Sequence, residues 1–419
     1  MDRRSFLKMS IATPFAASIL SNTAVASGSS PLSTLSHDEA YWAGIRDQFP
    51  ITKELLYMNN GTMGPSPKVI TDRLTDRIAH VDRTGDYGGS YDKVKEAVAR
   101  VLGAPSHEDI AFTHNVSEAI SILASGIKLQ SGDEVILTDQ EHGGNAIPWL
   151  ARAKKDGIVV KFVKLVPDDA AVLGNFFDAI TARTKVICVP HVTCTTGQVL
   201  PIAEIAALAR RNSIWMIADG AHPPGMMNVN VLHLGVHAYA SCGHKWLCGP
   251  KGVGFLYIAP EMREFVTPTW CGAESDKVWT YSGNLEWAPS ASRYDFATQN
   301  FALYDGLQGA IEWMEGIGFN NVEQRLQALT MHLRARMAEE LEGYYDILTP
   351  ATSITGLTTV KLRRKQYQEF ANELLAKHKI RTRVVPESNL EANRFSCHIY
   401  TSPEDIERFI EGAKDVLKA

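Results

Sequence analysis

The chain has 419 residues, 45% of them hydrophobic, and a formal net charge of −5. That composition is globular, with length for two or three structural units around a sizeable core. The lack of lysine-rich blocks and of aromatic-basic interleaving argues against nucleic acid as a partner. Six cysteines with no CxxC spacing do not make a disulfide scaffold.

At the amino terminus, MDRRSFLKMS places Arg3, Arg4 and Lys8 before the apolar IATPFAASIL, and small residues end at AVASG. That order reads as an export signal over 1–26, cleaved after Ala26. The paired arginines followed by Ser5-Phe6-Leu7-Lys8 resemble a twin-arginine signal. The signal implies engagement of the twin-arginine export machinery and a folded protein delivered to the periplasm or secreted. No later stretch is long and apolar enough to span a bilayer, so stable membrane insertion is not expected.

A Ser-rich linker and N-terminal segment follow over 27–56, with a helix expected at 38–48. YMNNGTMGPSP (57–67) reads as a strand end and a turn-rich loop, and the segment to about 103 reads as mostly helical. From Ile110 the pattern alternates. DIAFT, DEVILTD, IVVKFVKL, TKVICVPHV, SIWMIADG, HAYA and GVGFLYI are short β-rich runs separated by helical patterns. They predict an α/β unit with a largely parallel, buried sheet, placed in a large domain over 57–295. Beyond 296, long amphipathic helices lead into YDILT, TTVKL, IRTRVV, RFSCHIY and a last helix from Pro403. That texture predicts a smaller α+β carboxy-terminal domain over 296–419.

Ligand sites in open α/β sheets lie at the carboxyl ends of strands, and four polar clusters fall there. In FTHNVSEAI, exposed amides at Val116 and the Ser117 hydroxyl suit a phosphate or other anion; an ordinary helix cap explains the same residues. In TDQEHGGNAIPW, the glycine pair beside His142 leaves room for a flat ligand, unless His142 is simply a surface-loop residue. Asp219 ends the apolar strand of IWMIADGAH, with His222 three residues on, and an unpaired carboxylate there would be costly. The fourth, HAYASCGHKWLCGPKGVGFLY, sets Lys245 behind His244 in an otherwise small, aromatic and aliphatic tract.

One ligand accounts for all four: pyridoxal 5'-phosphate, which needs a lysine for covalent attachment, an acid for its ring nitrogen, an imidazole or aromatic face and an anion cradle. A zinc site built from His222, His233 and His237 lacks suitable spacing, so no metal is expected. No GxGxxG follows the first β-strand, which argues against a dinucleotide site.

With YMNNGTMG, FTHNVSEAI, EHGGN, TGQVLPI, ADGAH, GHKW and RFSCHIYTSPEDIERF in this order, the chain resembles the class V aminotransferase family of fold-type I PLP enzymes. GHKWLCGPKGVGFLY is most similar to the isopenicillin N epimerase-like branch. The resemblance implies a large α/β domain with a mostly parallel seven-stranded sheet plus the smaller α+β domain. It implies that Lys245 links the cofactor and moves protons, Asp219 pairs with the ring nitrogen, and His142 stacks on the ring. His222 would bond the ring hydroxyl, and Val116, Ser117 and His244 would hold the phosphate. Thr298, in RYDFATQN, would reach a neighbouring subunit's phosphate site, implying a homodimer. Arg394 would grip the substrate carboxylate by a bidentate pair, with Asn60 of YMNNGTMG also at the substrate.

Some departures bear on activity. The stretch RTRVVPESNLEANRF lacks the nucleophilic cysteine that desulfurases carry ahead of the late arginine, and Cys397 lies beyond Arg394. Cys194 stands where desulfurases have an asparagine, and Cys242 where they have a serine near the phosphate. Arg381 and Arg383 read either as a sensor for a second acidic group or as a solvated strand edge. Expected substrates are small molecules or peptides with a free amine and carboxylate. Transamination, which needs one base, ranks first; epimerisation, then C–S or other β-lyase chemistry, follow as alternatives. A catalytically weak PLP-binding module is the non-enzymatic reading.

Overall fold

A computed structural model of the chain describes residues 32, 35–86 and 89–418. The export signal expected over 1–26 lies outside the described residues. The central sheet has seven strands: β1 (Ile110–Thr113), β2 (Glu134–Thr138), β3 (Val159–Val163), β4 (Thr184–Pro190), β5 (Trp215–Asp219), β6 (Ala238–Cys242) and β7 (Gly254–Ile258). They lie in the order β1-β7-β6-β5-β4-β2-β3. β7 runs antiparallel to β1 and β6, and every other neighbouring pair is parallel. This is the predicted α/β fold with a mostly parallel seven-stranded sheet and a smaller α+β domain.

The strands read as continuous apolar runs because helices cover both faces of the sheet. Side chains alternate between those faces along a strand. In β4, Ile187 and Val189 enter one core, and Val186 and Cys188 enter the other. The named helices are α1 (Glu39–Arg46), α2 (Lys68–Thr84), α3 (Tyr91–Leu102), α4 (Val116–Gly126), α5 (Gly143–Asp156), α6 (Asp169–Ala179), α7 (Ile202–Arg211), α8 (Phe301–Ile317), α9 (Phe319–Glu340), α10 (Tyr367–His378) and α11 (Pro403–Lys418). α3, α6, α7 and α8 supply the first core, and α4 and α5 the second.

The boundary expected at 296 does not separate α8 from the large domain. Phe301, Tyr304, Leu307 and Ile311 form a buried stripe at helical spacing, packed with Val94 and Phe112 in the core of the large sheet. The smaller domain is a sheet of β8 (Tyr345–Ile347), β9 (Leu357–Leu362), β10 (Arg383–Val385) and β11 (Ala392–Ser396), in the order β8-β9-β11-β10. All its pairs are antiparallel. Leu329 and Leu333 of α9, Phe370 and Leu374 of α10, and Ile406 and Phe409 of α11 cover it.

The N-terminal segment ties the two sheets together. Leu56–Tyr57 pairs in parallel with Ile380–Arg381 of the smaller domain. Ser396 N–H donates to Met58 O at 2.9 Å, and Gly64 N–H donates to His244 O at 2.8 Å in the large domain. No helix among the described residues is long and apolar enough to cross a membrane.

Asp295 closes the far edge of the large sheet. Its carboxylate accepts the Phe112 N–H at 2.7 Å and Lys95 Nζ at 2.6 Å. Both side chains are largely withdrawn from water, at 13% and 7% exposure. Burial raises the Asp295 pKa, and the Lys95 charge opposes that rise. Removing one partner strands the other charge. Asp295→Ala should therefore cost about 3–5 kcal/mol of stability, read from the midpoint of urea unfolding.

Candidate active site

The carboxyl ends of β4, β5 and β6 converge with the loop 59–64 and with β10 and β11 on a cavity of about 170 Å³. Val116, Ser117, His142, Asp219, His222, His244, Lys245 and Arg394 all line it. Two expected site residues do not. Asn60 is fully buried beside the cavity, where its Oδ1 accepts the Tyr400 hydroxyl at 3.2 Å, while Gly61 and Thr62 provide the lining. Thr298 is exposed on the single chain and away from the cavity.

The anion end follows from local chain geometry. Asn115 caps α4 through its Oδ1, which accepts the Glu118 N–H at 2.9 Å. The first amides of α4 stay available, and Val116 and Ser117 face the cavity. A Cβ on Gly144 would lie 2.3 Å from Ser117 Oγ, so glycine is what leaves this corner open. His244 lines the same cavity; its Nδ1 is buried and unpartnered, and burial, followed by the Lys245 charge, lowers its pKa to about 4.

Asp219 ends β5 with only 5% of its surface exposed. Its Oδ1 accepts the Ala221 N–H at 2.9 Å. Burial raises its pKa, while that hydrogen bond and the charge of Lys245 work in the other direction. A protonated ring nitrogen is the cationic partner such a carboxylate lacks.

His142 is the N-cap of α5, and its Nδ1 accepts the Gly144 N–H at 3.0 Å. Burial, then Lys245, lowers its pKa. A neutral imidazole bonded in this way carries its proton on Nε2. Glu141, which sequence reasoning passed over, fixes this corner. Its Oε1 accepts Thr138 N–H at 2.9 Å and Thr138 Oγ1 at 2.8 Å, and its Oε2 accepts Asn145 Nδ2 at 2.7 Å. Burial pushes the Glu141 pKa up to about 8.

His222 is held by a second residue the sequence left unassigned. Trp246 Nε1, which can only donate, lies 3.1 Å from His222 Nδ1. Burial, then the Lys245 charge, holds the His222 pKa well below 6.5, so the ring is neutral with its proton on Nε2. That nitrogen is 3.5 Å from Lys245 Nζ. The adjacency of Trp246 to Lys245 was visible in GHKW; the turn that brings its indole back onto His222 was not.

Lys245 sits on a wall fixed by loop 59–64. A Cβ on Gly64 would fall 2.1 Å from Lys245 O. Lys251, the other lysine of the same tract, donates to Ser66 Oγ at 3.0 Å and does not line the cavity. Arg394 is 1% exposed; its Nη1 donates to Cys194 O at 2.5 Å and its Nη2 to Thr62 Oγ1 at 3.2 Å. Cys194 and Cys242 also line the cavity, both with pKa values raised by burial. Cys397 is buried in the smaller domain's core. All six cysteines are free thiols.

The Aminotransferase class-V family model matches residues 76–409. The chain belongs to that family. Among its relatives, isopenicillin N epimerase from Amycolatopsis lactamdurans is 28% identical over 409 residues, spanning 90% of this chain and 99% of that protein. A probable cysteine desulfurase from Mycolicibacterium paratuberculosis is 30% identical over 71% of this chain and 46% of its own length. The fold is similar to that of the cystine C–S lyase C-DES in complex with its reaction product, cysteine persulfide (TM-score 0.81, 26% identity, 88% of this chain and 99% of that one). It is also similar to a C-DES mutant with glycine covalently linked to the PLP cofactor (TM-score 0.82, 25% identity, with the same coverage). The relatives divide between epimerases and desulfurases and do not single out the epimerase branch expected from GHKWLCGPKGVGFLY.

This class-V enzyme uses pyridoxal phosphate, and the residues present fit it: an amine at Lys245, a buried carboxylate at Asp219, flat space beside His142, an N–H donor at His222 and a helix-start cradle at Val116 and Ser117. Lys245→Ala should abolish borohydride-fixable cofactor, read by the mass of the reduced chain. Gly64→Ala should displace the Lys245 backbone and cut cofactor affinity at least about tenfold, read by equilibrium dialysis. Far-ultraviolet circular dichroism should remain that of the parent.

Proposed function

We propose that this enzyme is a pyridoxal-phosphate-dependent lyase that expels a sulfur leaving group from Cβ of an amino acid. The observation that carries the reading is that Lys245 is the single amine among the described residues of the cavity wall, set between imidazoles that present N–H donors. Epimerisation needs a proton carrier on each face of Cα. His142 and His222 have Nδ1 engaged, and His244 Nδ1 is shielded within the wall. One-base chemistry is therefore favoured, and the kinship with a C–S lyase and with desulfurases favours elimination over transamination. The stretch 381–394 has no cysteine to receive the sulfur, which favours its release over transfer to the protein.

Arg394 anchors the α-carboxylate. Lys245 Nζ takes the α-proton, and bound pyridoxal phosphate supplies the sink for the electron pair left at Cα. Asp219 holds the ring-nitrogen proton that makes the sink effective, and His222 donates from Nε2 beside Lys245. With that sink in place, loss of the α-proton to Lys245 would let the Cβ–S bond break with its pair leaving on sulfur. Return of Lys245 to the cofactor would free the product as an enamine, which hydrolyses in water to a keto acid and ammonia. Arg394 and Asp219 are both buried, which strengthens the pull that each exerts on an oppositely charged partner.

The same reading has the enzyme exported by the signal at 1–26. It has the enzyme act as a homodimer, with the exposed Thr298 of one protomer reaching the phosphate end of its partner.

The holoenzyme should release ammonia and pyruvate in equal amounts from L-cystine with no added keto acid, and Lys245→Ala should lower the rate by at least about 10³-fold. Keto acid formed only in the presence of an amino acceptor would make the enzyme a transaminase. Inversion at Cα without ammonia release would make it an epimerase.

A further inference from the structure

Arg383 and Arg394 are register partners on the antiparallel strands β10 and β11. Residues directly opposite one another share a face of the sheet, and like charges placed so are destabilising. Both guanidiniums line the cavity and reach one oxygen: Arg394 Nη1 is 2.5 Å and Arg383 Nη1 3.4 Å from Cys194 O. Arg394 Nε is buried with no partner. Arg381, the other arginine of RTR, is exposed and outside the cavity lining, so the tertiary fold separates two residues that the sequence could not tell apart.

Among the described residues Asp219 is the one carboxylate in the lining, and it serves the Lys245 and His142 side. Arg383 pairs with Glu387, four residues on in the connection between β10 and β11. This pair is incompletely satisfied, because Glu387 Oε2 is buried and has no partner. The connection also holds Ser388, Asn389 and Glu391 in the left-handed region, at φ 56°, 55° and 51°. Such backbone persists only where its surroundings impose it, and it concentrates at ligand clamps. A partly exposed ion pair of this kind contributes little to stability and can be exchanged for a better anion.

We propose that the cavity selects amino acids carrying a second acidic group, with Arg394 taking the α-carboxylate and Arg383 the side-chain anion. Glu387 occupies Arg383 until that group arrives and is then displaced. A neutral amino acid meets an arginine that is already paired and gains nothing from it. An acidic one gains a charge-assisted hydrogen bond and separates two like charges. The proposal rests on the reading of this cavity as an amino-acid site and does not depend on which bond is broken there.

The test titrates L-aspartate against L-asparagine, and L-glutamate against L-glutamine, into the holoenzyme, following the absorbance of bound pyridoxal phosphate. Each acid should bind at least about tenfold tighter than its amide. In Arg383→Gln that ratio should fall to near one. In Glu387→Gln, with the competing anion gone, the acid should bind several-fold tighter than to the parent. Equal affinity for acid and amide in the parent would overturn the proposal, as would a preference that survives Arg383→Gln. A preference that holds while L-cystine releases no ammonia would sustain this inference and sink the lyase reading. Absence of any amino-acid response would sink both.

Discussion

A carboxylate buried beside an amine is the constraint on which this site depends. Asp219 stands at the end of an apolar strand, and Lys245 follows the neighbouring strand β6. Water is largely excluded from Asp219, so its charge must be met from within the cavity. Every nearby imidazole responds to the same field. His142, His222 and His244 are all pushed towards the neutral form by burial first, with Lys245 adding to it. Away from the two arginines, the cavity thus holds one dominant anion and one amine among neutral imidazoles, an environment suited to a ring that is cationic at one edge and anionic at its phosphate.

Covalent order does little to bring these groups together. Loop 59–64 enters from a segment paired with the smaller domain and binds the backbone at His244 in the large one. Arg394 arrives from β11, and Cys194, whose carbonyl receives it, belongs to the large domain. The substrate end is therefore made at the seam between two cores, while the anion end belongs wholly to the large domain. Motion of the smaller domain would change the distance from Arg394 to Lys245 without disturbing the cradle at Val116 and Ser117.

Two side chains with no direct claim on the chemistry define what the imidazoles can do. Trp246, an obligate donor, commits His222 to offering a proton from Nε2. The Gly144 amide does the same for His142. Glu141 fixes the turn from which His142 rises, held by Thr138 and Asn145. These contacts turn two interchangeable-looking histidines into groups with assigned roles, and they leave Lys245 as the natural proton carrier.

Much of this was legible in the chain itself. Apolar runs of strand length predicted the buried sheet, because strands covered on both faces carry no polar alternation. GHKW, ADGAH, EHGGN and FTHNVSEAI predicted residues that meet in one cavity, because each follows a strand and the carboxyl ends of parallel strands open on one side. The assignment of α8 to the smaller domain failed because an amphipathic stripe does not name the core that it will meet. Asn60 lies beside the cavity rather than in its lining for a similar reason: a loop sequence does not state which side chains turn outwards. The distinction between Arg381 and Arg383, the role of Trp246 and the place of Glu141 came only from the tertiary structure. They rest on strand pairing and on contacts across domains: Arg381 pairs with Tyr57 of the N-terminal segment, while Arg383 pairs with Arg394 in the smaller sheet.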